Sequence, residues 1–460
     1  MTSGLAGNRS LSPDADVVGG AVTDATTTSL SFPPGPGTSP RYKALFWYRR
    51  AQVIDQCVRR YGDVFSLTVP VYGHAVVVAE PEHARQVCTA SNEEVGCSTP
   101  NLGGLLGASS VFGLDGAEHR RRRRLLAPLF HSRHFRHFEQ IFVEETLREC
   151  ETWPEGEHFA LLPSTTRLSL EIMLRVIFGS QDGSLNELRR IVPPLVSMGS
   201  TLAVLPVPRS VRRRIKGRYT PWGRFLEQRD AYHELIRRLV EMRKADPDFD
   251  SRDDILTSLL KSRYEDGSAM SVKEIADEVL TLLAAGHETT AATLAWTFER
   301  ITRHPDVLAA VTEEAFTDGN EYRRAVIAET QRARPVIALV ARKVHAETFQ
   351  LGEWSIPRGT TIMIALSELH NREQEYPDPQ RFVPERFIER PLPPYAWLPF
   401  GGGSRRCLGS VFATLEMEVV LRTVLRHFSV EPTTAADERL QCRGVAVTPK
   451  DGARILVHRR

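Results

Sequence analysis

Residues 272–303 carry one continuous helical pattern, which at ~1.5 Å per residue spans roughly 48 Å, about the width of a whole domain. Ser271 and Glu274 form an S-x-x-E capping box at its start. Apolar residues recur at Ile275, Val279, Leu282, Leu283, Leu294, Phe298 and Ile301, and Pro305 ends the pattern. The centre departs from the rule: AAGHETT, residues 284–290, interrupts the apolar face with a glycine, an acid and two alcohols. Threonine side chains can bond the carbonyl four residues back and bend a helix. The interruption is therefore either a set of tolerated polar groups turned to solvent or a distortion facing a buried site, and this segment alone leaves both open.

The rest of the chain is read around that rod. Residues 1–31 are polar and low in aromatics, which predicts a disordered leader, and FPPGPGTSP after it is a stiff, extended entry. Two β-rich runs, 64–69 and 75–79, flank turn residues that include Gly73 and predict a hairpin. From about 81 to 351 the pattern is mostly helical, with short apolar-alternating pieces near 336–366 and 443–458. The expected fold class is mainly α with a minor β region, residues 32–460 forming a single domain.

Several function classes fall away on composition. Fifty-nine basic against fifty-seven acidic residues leave a formal charge of +2, too little for a field that would argue for nucleic acid. Neither a signal peptide nor the ~18–20 apolar residues of a spanning helix is visible, so a cytoplasmic protein without a transmembrane anchor is expected. The six cysteines show no CxxC pair and no disulfide-scaffold or zinc spacing.

The strongest chemical signal is PFGGGSRRCLGS, where a glycine-rich loop delivers Cys407 to the start of an amphipathic helix running to about residue 428. Backbone N–H groups and the dipole at a helix N-terminus favour a thiolate there. Arg405 brings a positive charge two residues from the sulfur, Phe400 can shield it from water, and Gly409 would allow close backbone approach. A lone cysteine is more often a buried small hydrophobe. A phosphate loop fails for want of the Walker lysine.

The spacing F-x-x-G-x-R-x-C-x-G, carried by Phe400, Gly403, Arg405, Cys407 and Gly409, resembles the haem-binding loop of the cytochrome P450 superfamily. Chance would produce it in about one chain of this length per ten thousand. The superfamily's other signatures follow in its order: AGHETT on the long helix, Glu329 with Arg332 forty residues after Thr289, and PERF at 384–387. The likeness covers roughly residues 32–460, with soluble bacterial members as the nearest pattern.

What this resemblance implies is specific. The fold would be helices around a buried haem with small β-sheets. The cofactor would be heme b, iron protoporphyrin IX, with Cys407 as axial thiolate, a ligand that favours O–O cleavage. Glu288 and Thr289 match the acid-alcohol pair that delivers protons. The alcohol would bond the Ala285 carbonyl and open the helix beside the iron. His119, Arg123, Arg342 and Arg405 would hold the haem propionates, the first two one turn apart on a helix face. Glu329, Arg332 and Arg386 would form a buried charge network for fold assembly, with Gln331 where relatives usually carry leucine.

In the same reading Arg120, Arg121, Arg124 and Arg406 are candidates for a docking face, and the donors would be a ferredoxin and its reductase. Substrate contacts would come from residues 92–115, where Leu102, Leu105, Leu106, Val111 and Phe112 suggest an apolar wall, and from the helical hairpin at 185–240. A small hydrophobic substrate, O2 and a monomer are expected. The basic turn at 208–218 would be a solvated loop or rest on anionic lipid. The alternative to a monooxygenase is a haem-thiolate ligand-binding or sensor protein without turnover, against which Glu288 and Thr289 argue.

Overall fold

The computed structural model describes residues 32–98, 102–130, 135–179, 185–205, 220–389 and 391–460. The expected leader and the basic turn at 208–218 lie outside these residues, as does the side chain of Leu102. Eleven helices of nine residues or more are found among the described residues. They are α1 (Pro40–Tyr61), α2 (Pro81–Thr89), α3 (Gly116–Leu126), α4 (Phe135–Cys150), α5 (Leu161–Phe178), α6 (Asn186–Val204), α7 (Pro221–Lys244), α8 (Val272–Thr302), α9 (Pro305–Ala315), α10 (Glu321–Ala333) and α11 (Ser410–His427).

The rod is α8, and its start is the capping box: Ser271 Oγ accepts from the Glu274 N–H while the Glu274 carboxylate accepts from the Ser271 N–H. It is the axis of the main core, buried along most of its length. The α8 backbone meets α5 closely at Gly286, where a Cβ would sit 2.8 Å from Met173 Cε and Sδ, the flexible end of that side chain. Thr165 Oγ1 of α5 then donates to the Ala291 carbonyl at 3.0 Å, tying the two helices where they touch.

A five-stranded sheet flanks the helices. Its strands are β1 (Val64–Val69), β2 (Gly73–Val78), β3 (Val95–Cys97), β4 (Leu339–Val344) and β5 (Thr361–Ala365), in the order β1-β2-β5-β4-β3. The hairpin was expected to place its second strand at 75–79 with Gly73 in the turn. Gly73 instead opens β2, paired with Val69, and both it and Val71 in the turn take a φ of 74°. Side chains alternate between faces: Val76 and Val78 join the core that faces α2, whereas Ala75 and Val77 pack toward α1. The extended entry lies along β1, the Ser66 N–H donating to the Pro34 carbonyl at 2.7 Å. A separate hairpin, β6 (Leu440–Arg443) with β7 (Ala446–Pro449), lies near the C-terminus and packs against α8.

Candidate functional site

The loop between Phe400 and Cys407 is closed by the Cys407 N–H, which donates to the Phe400 carbonyl at 2.9 Å. Gly401 and Gly403 take φ of 67° and 64°, the region a glycine enters without cost. At Gly403 there is no room either, because a Cβ would fall 1.7 Å from the Cys88 carbonyl oxygen, and at Gly402 it would meet Cys88 Sγ at 2.8 Å. The glycine triplet thus lets the end of α2 lie directly on the loop. Ser404 Oγ adds a bond to Asn92 Oδ1 at 3.0 Å. At Gly409 a Cβ would meet no protein atom within 4 Å, and the Gly409 N–H approaches the Cys407 sulfur.

Cys407 lies three residues before α11, not in its first turn. Its side chain is solvent-accessible, yet the crowding of the loop raises the thiol above its ordinary range. The Gly409 N–H and the charges of Arg123 and Arg406 pull the other way. The cation expected beside the sulfur, Arg405, turns elsewhere: its Nη2 donates to the Leu114 carbonyl at 2.8 Å and to Asp115 Oδ1 at 2.6 Å. The charges that act on the sulfur come from the neighbouring Arg406 and, across the fold, from α3.

Around His119 the structure gathers Asp115, Arg123, Arg342 and Arg405. Burial and the charges of Arg405, Arg123 and Arg342 lower His119 to about 4, so its imidazole is neutral and can donate one hydrogen bond without adding charge. Burial also lowers Arg123 and Arg342. Asp115 is the acid among them. It caps α3 through the Gly116 N–H and accepts from the Cys97 N–H at 3.0 Å. Among the described residues, His119 Nδ1 and Arg405 Nε are buried without a hydrogen-bond partner. Three guanidiniums and an imidazole with unspent donors and one carboxylate suit a group that brings two carboxylates of its own, as a haem does. Asp115 was not picked out from the sequence, although an Asp ahead of a basic helix is a legible cap.

On α8, Thr289 Oγ1 donates to the Ala285 carbonyl at 2.7 Å, as expected. The expected opening does not take the form of a break, since the helix runs unbroken from Val272 to Thr302. Ala285 is nevertheless exposed in the middle of this otherwise buried rod, with Gly286, Glu288 and Thr289 partly so. Burial raises Glu288 above the usual carboxylate range, and Ser200 Oγ of α6 lies 3.4 Å from its Oε2.

The charge network behind the loop is present. Glu329 and Arg332 are wholly buried and joined by two bonds of 2.6 and 2.8 Å, with Arg386 Nε at 3.7 Å from Glu329 Oε1. Arg332 also donates to the His370 carbonyl at 3.0 Å, and His370 Nε2 accepts the Leu398 N–H at 2.9 Å, two residues before Phe400. Burial and Arg332 push His370 down to about 3, which keeps Nε2 free to accept. His370 was not singled out from the sequence. Gln331 is buried on the same helix as Glu329 and Arg332.

The basic run divides. Arg120 pairs with Glu93, Arg121 with Asp266 and Arg124 with Glu265, so three of the proposed docking charges are each matched by an acid. Arg122, unremarked in the sequence, is buried against Glu274, Glu278 and Tyr264. Of the expected apolar wall, Leu105 and Leu106 are core, while Val111 and Phe112 are partly exposed.

Comparison with known proteins bears on the family and the fold. The family model for Cytochrome P450 matches residues 33–457. A protein of Mycobacterium tuberculosis strain H37Rv, provisionally named cytochrome P450 138, is 54% identical over 415 residues, covering 90% of this chain and 93% of its own. A second from that strain, provisionally named cytochrome P450 135B1, is 39% identical over 444 residues, covering 94% and 92%. The structure of retinoic acid bound cyanobacterial CYP120A1 superposes with a TM-score of 0.82 at 22% identity, over 94% of this chain and all of that one, which shows a shared fold.

Proposed function

This chain belongs to the cytochrome P450 family, and from that premise we propose how its residues divide the work. It is a monooxygenase oxidoreductase that uses haem, dioxygen, a substrate and a redox partner. In the proposed reading Cys407 would ligate the iron of a heme b through its thiolate. His119, Arg123, Arg342 and Arg405 would hold its propionates, and Phe400 would shield the sulfur. When bound, the haem supplies the iron at which dioxygen is activated and one oxygen atom passes to the substrate.

The remaining steps fall to side chains. Thr289 holds the Ala285 carbonyl inward at the exposed point of α8. Glu288, raised by burial, keeps its proton nearer neutral pH and passes it toward Thr289. Glu329, Arg332 and Arg386 keep the cysteine loop in place through His370. The substrate is a small hydrophobic molecule, the donors are a ferredoxin and its reductase, and residues 32–460 act as one domain of a cytoplasmic monomer.

The observation that carries this reading is the group of unspent cationic donors beside the cysteine loop. Its test is the absorption spectrum of the reduced, carbon monoxide-bound protein. A strongly red-shifted Soret band is expected, and Cys407→Ser removes it. Colourless protein from iron-replete cells, or a Cys407→Ser variant that keeps the band, overturns the reading.

A further inference from the structure

Two adjacent acids in α8, Asp277 and Glu278, are almost completely buried, as is Arg122 of α3. Burying three charges costs free energy that apolar side chains would not, so what they touch is informative. All three converge on residues 107–111. Glu278 accepts the Val111 N–H at 3.0 Å and Arg122 Nη1 at 2.8 Å. Asp277 accepts the Ser109 N–H at 3.2 Å and Lys273 Nζ at 2.9 Å. Arg122 Nη1 donates to the Ser109 carbonyl at 2.6 Å, and Lys273 Nζ to Ser109 Oγ at 2.9 Å. Gly107, at a φ of 109°, lies where a Cβ would be 2.3 Å from the Asp277 carboxyl carbon. His233 of α7 lies 3.1 Å from the same carboxylate.

Helical spacing connects this clamp to the site. Positions 278, 281, 285 and 289 share one face of α8, and Thr281 Oγ1 donates to the Leu106 carbonyl at 3.5 Å. The chain therefore follows the face that exposes Ala285, from the Leu106 contact about one turn, ~6 Å, from it to the clamp at Glu278, about two turns, ~10 Å, from it. We propose that Asp277, Glu278 and Arg122 are positioning residues that hold 107–111 as a fixed wall of the substrate cavity, so that the wall's shape sets which molecules reach Ala285. The proposal rests on the haem-site reading above. Loop segments ordinarily satisfy their backbone with water or themselves; here Ser110 bonds the Gly107 carbonyl within the loop, but the Ser109 and Val111 N–H groups and the Ser109 carbonyl are satisfied by charges on two helices, which holds the segment in register.

The test compares the wild-type holoenzyme with Asp277→Asn, Glu278→Gln and Gly107→Ala, the last pushing from the loop side if a buried-acid variant fails to fold. Hydrogen exchange is read at the Ser109 and Val111 amides. In parallel, imidazole and the bulkier 1-phenylimidazole are titrated by their spectral shifts. Exchange at the two amides is expected to rise at least tenfold with α8 beyond 285 unchanged. The preference between the two imidazoles is expected to change at least threefold. Unchanged protection overturns the proposal, as does loss of protection throughout the chain, or freed amides with an unaltered preference. Failure of the haem-site reading would show separately, as wild-type protein without the haem spectrum.

Discussion

Thr289 and Glu416 show how one position can be polar for opposite reasons. Thr289 bonds the Ala285 carbonyl at the exposed point of α8, where a hydroxyl can hold both that oxygen and an incoming molecule. Thr289→Ala is expected to raise peroxide release per reducing equivalent severalfold, while the reduced carbon monoxide spectrum stays as in the parent. Unchanged coupling removes the role. Glu416 is wholly buried on α11, its Oε1 accepting from Ser169 Oγ at 2.7 Å and its Oε2 without a partner among the described residues. Burial raises it to about 8, so the folded protein keeps the proton through neutral pH. Its stabilisation is complete below the unfolded carboxyl's range. It falls by ~1.4 kcal/mol per pH unit as pH rises toward 8, where the loss levels off. Glu416→Gln is therefore expected to raise Tm at pH 8 and leave it nearly unchanged at pH 4–5. An equal shift at both pH values would refute the assignment.

The cysteine loop is an element whose shape is imposed from outside. Its own bond from Cys407 to Phe400 would close several conformations, but Cys88 at the end of α2 permits only one without a side chain at 402 and 403. Gly403→Ala combines a left-handed φ with a backbone clash and is expected to cost about 2–4 kcal/mol. Gly401→Ala, with the left-handed φ but no protein atom within 4 Å of its Cβ, is expected to cost about 1–2 kcal/mol. Thermal unfolding and haem content of the two variants check the ranking, and equal losses would show that the contact with α2 does not shape the loop. The long helix teaches the complementary lesson. Its capping box, apolar spacing and continuity were readable because they are local, whereas the burial of Asp277 and Glu278 was not, because these acids are satisfied by N–H groups far along the chain.

Across the whole molecule, positive charge is less free than a count of arginines suggests. Arg120, Arg121 and Arg124 each face an acid brought from another segment, leaving Arg406, exposed beside Cys407, as the charge best placed to meet an acidic electron donor. Reduction by a ferredoxin is expected to slow with added salt, and Arg406→Glu to slow it severalfold at low salt, with Arg124→Glu having the smaller effect. A rate indifferent to salt and to Arg406 argues against docking there. The family, the Glu329–Arg332 pair and the bond from Thr289 to the Ala285 carbonyl were legible in the chain, because each shows as a short pattern of fixed residue types at fixed spacing. Where Arg405 points, that His119 is neutral, that Arg122 is buried, and that Asp115 and His370 belong to the site were not legible. Each depends on charges and carbonyls brought together from distant parts of the chain, and the energy of a buried polar group is set by those neighbours, not by its own place in the sequence.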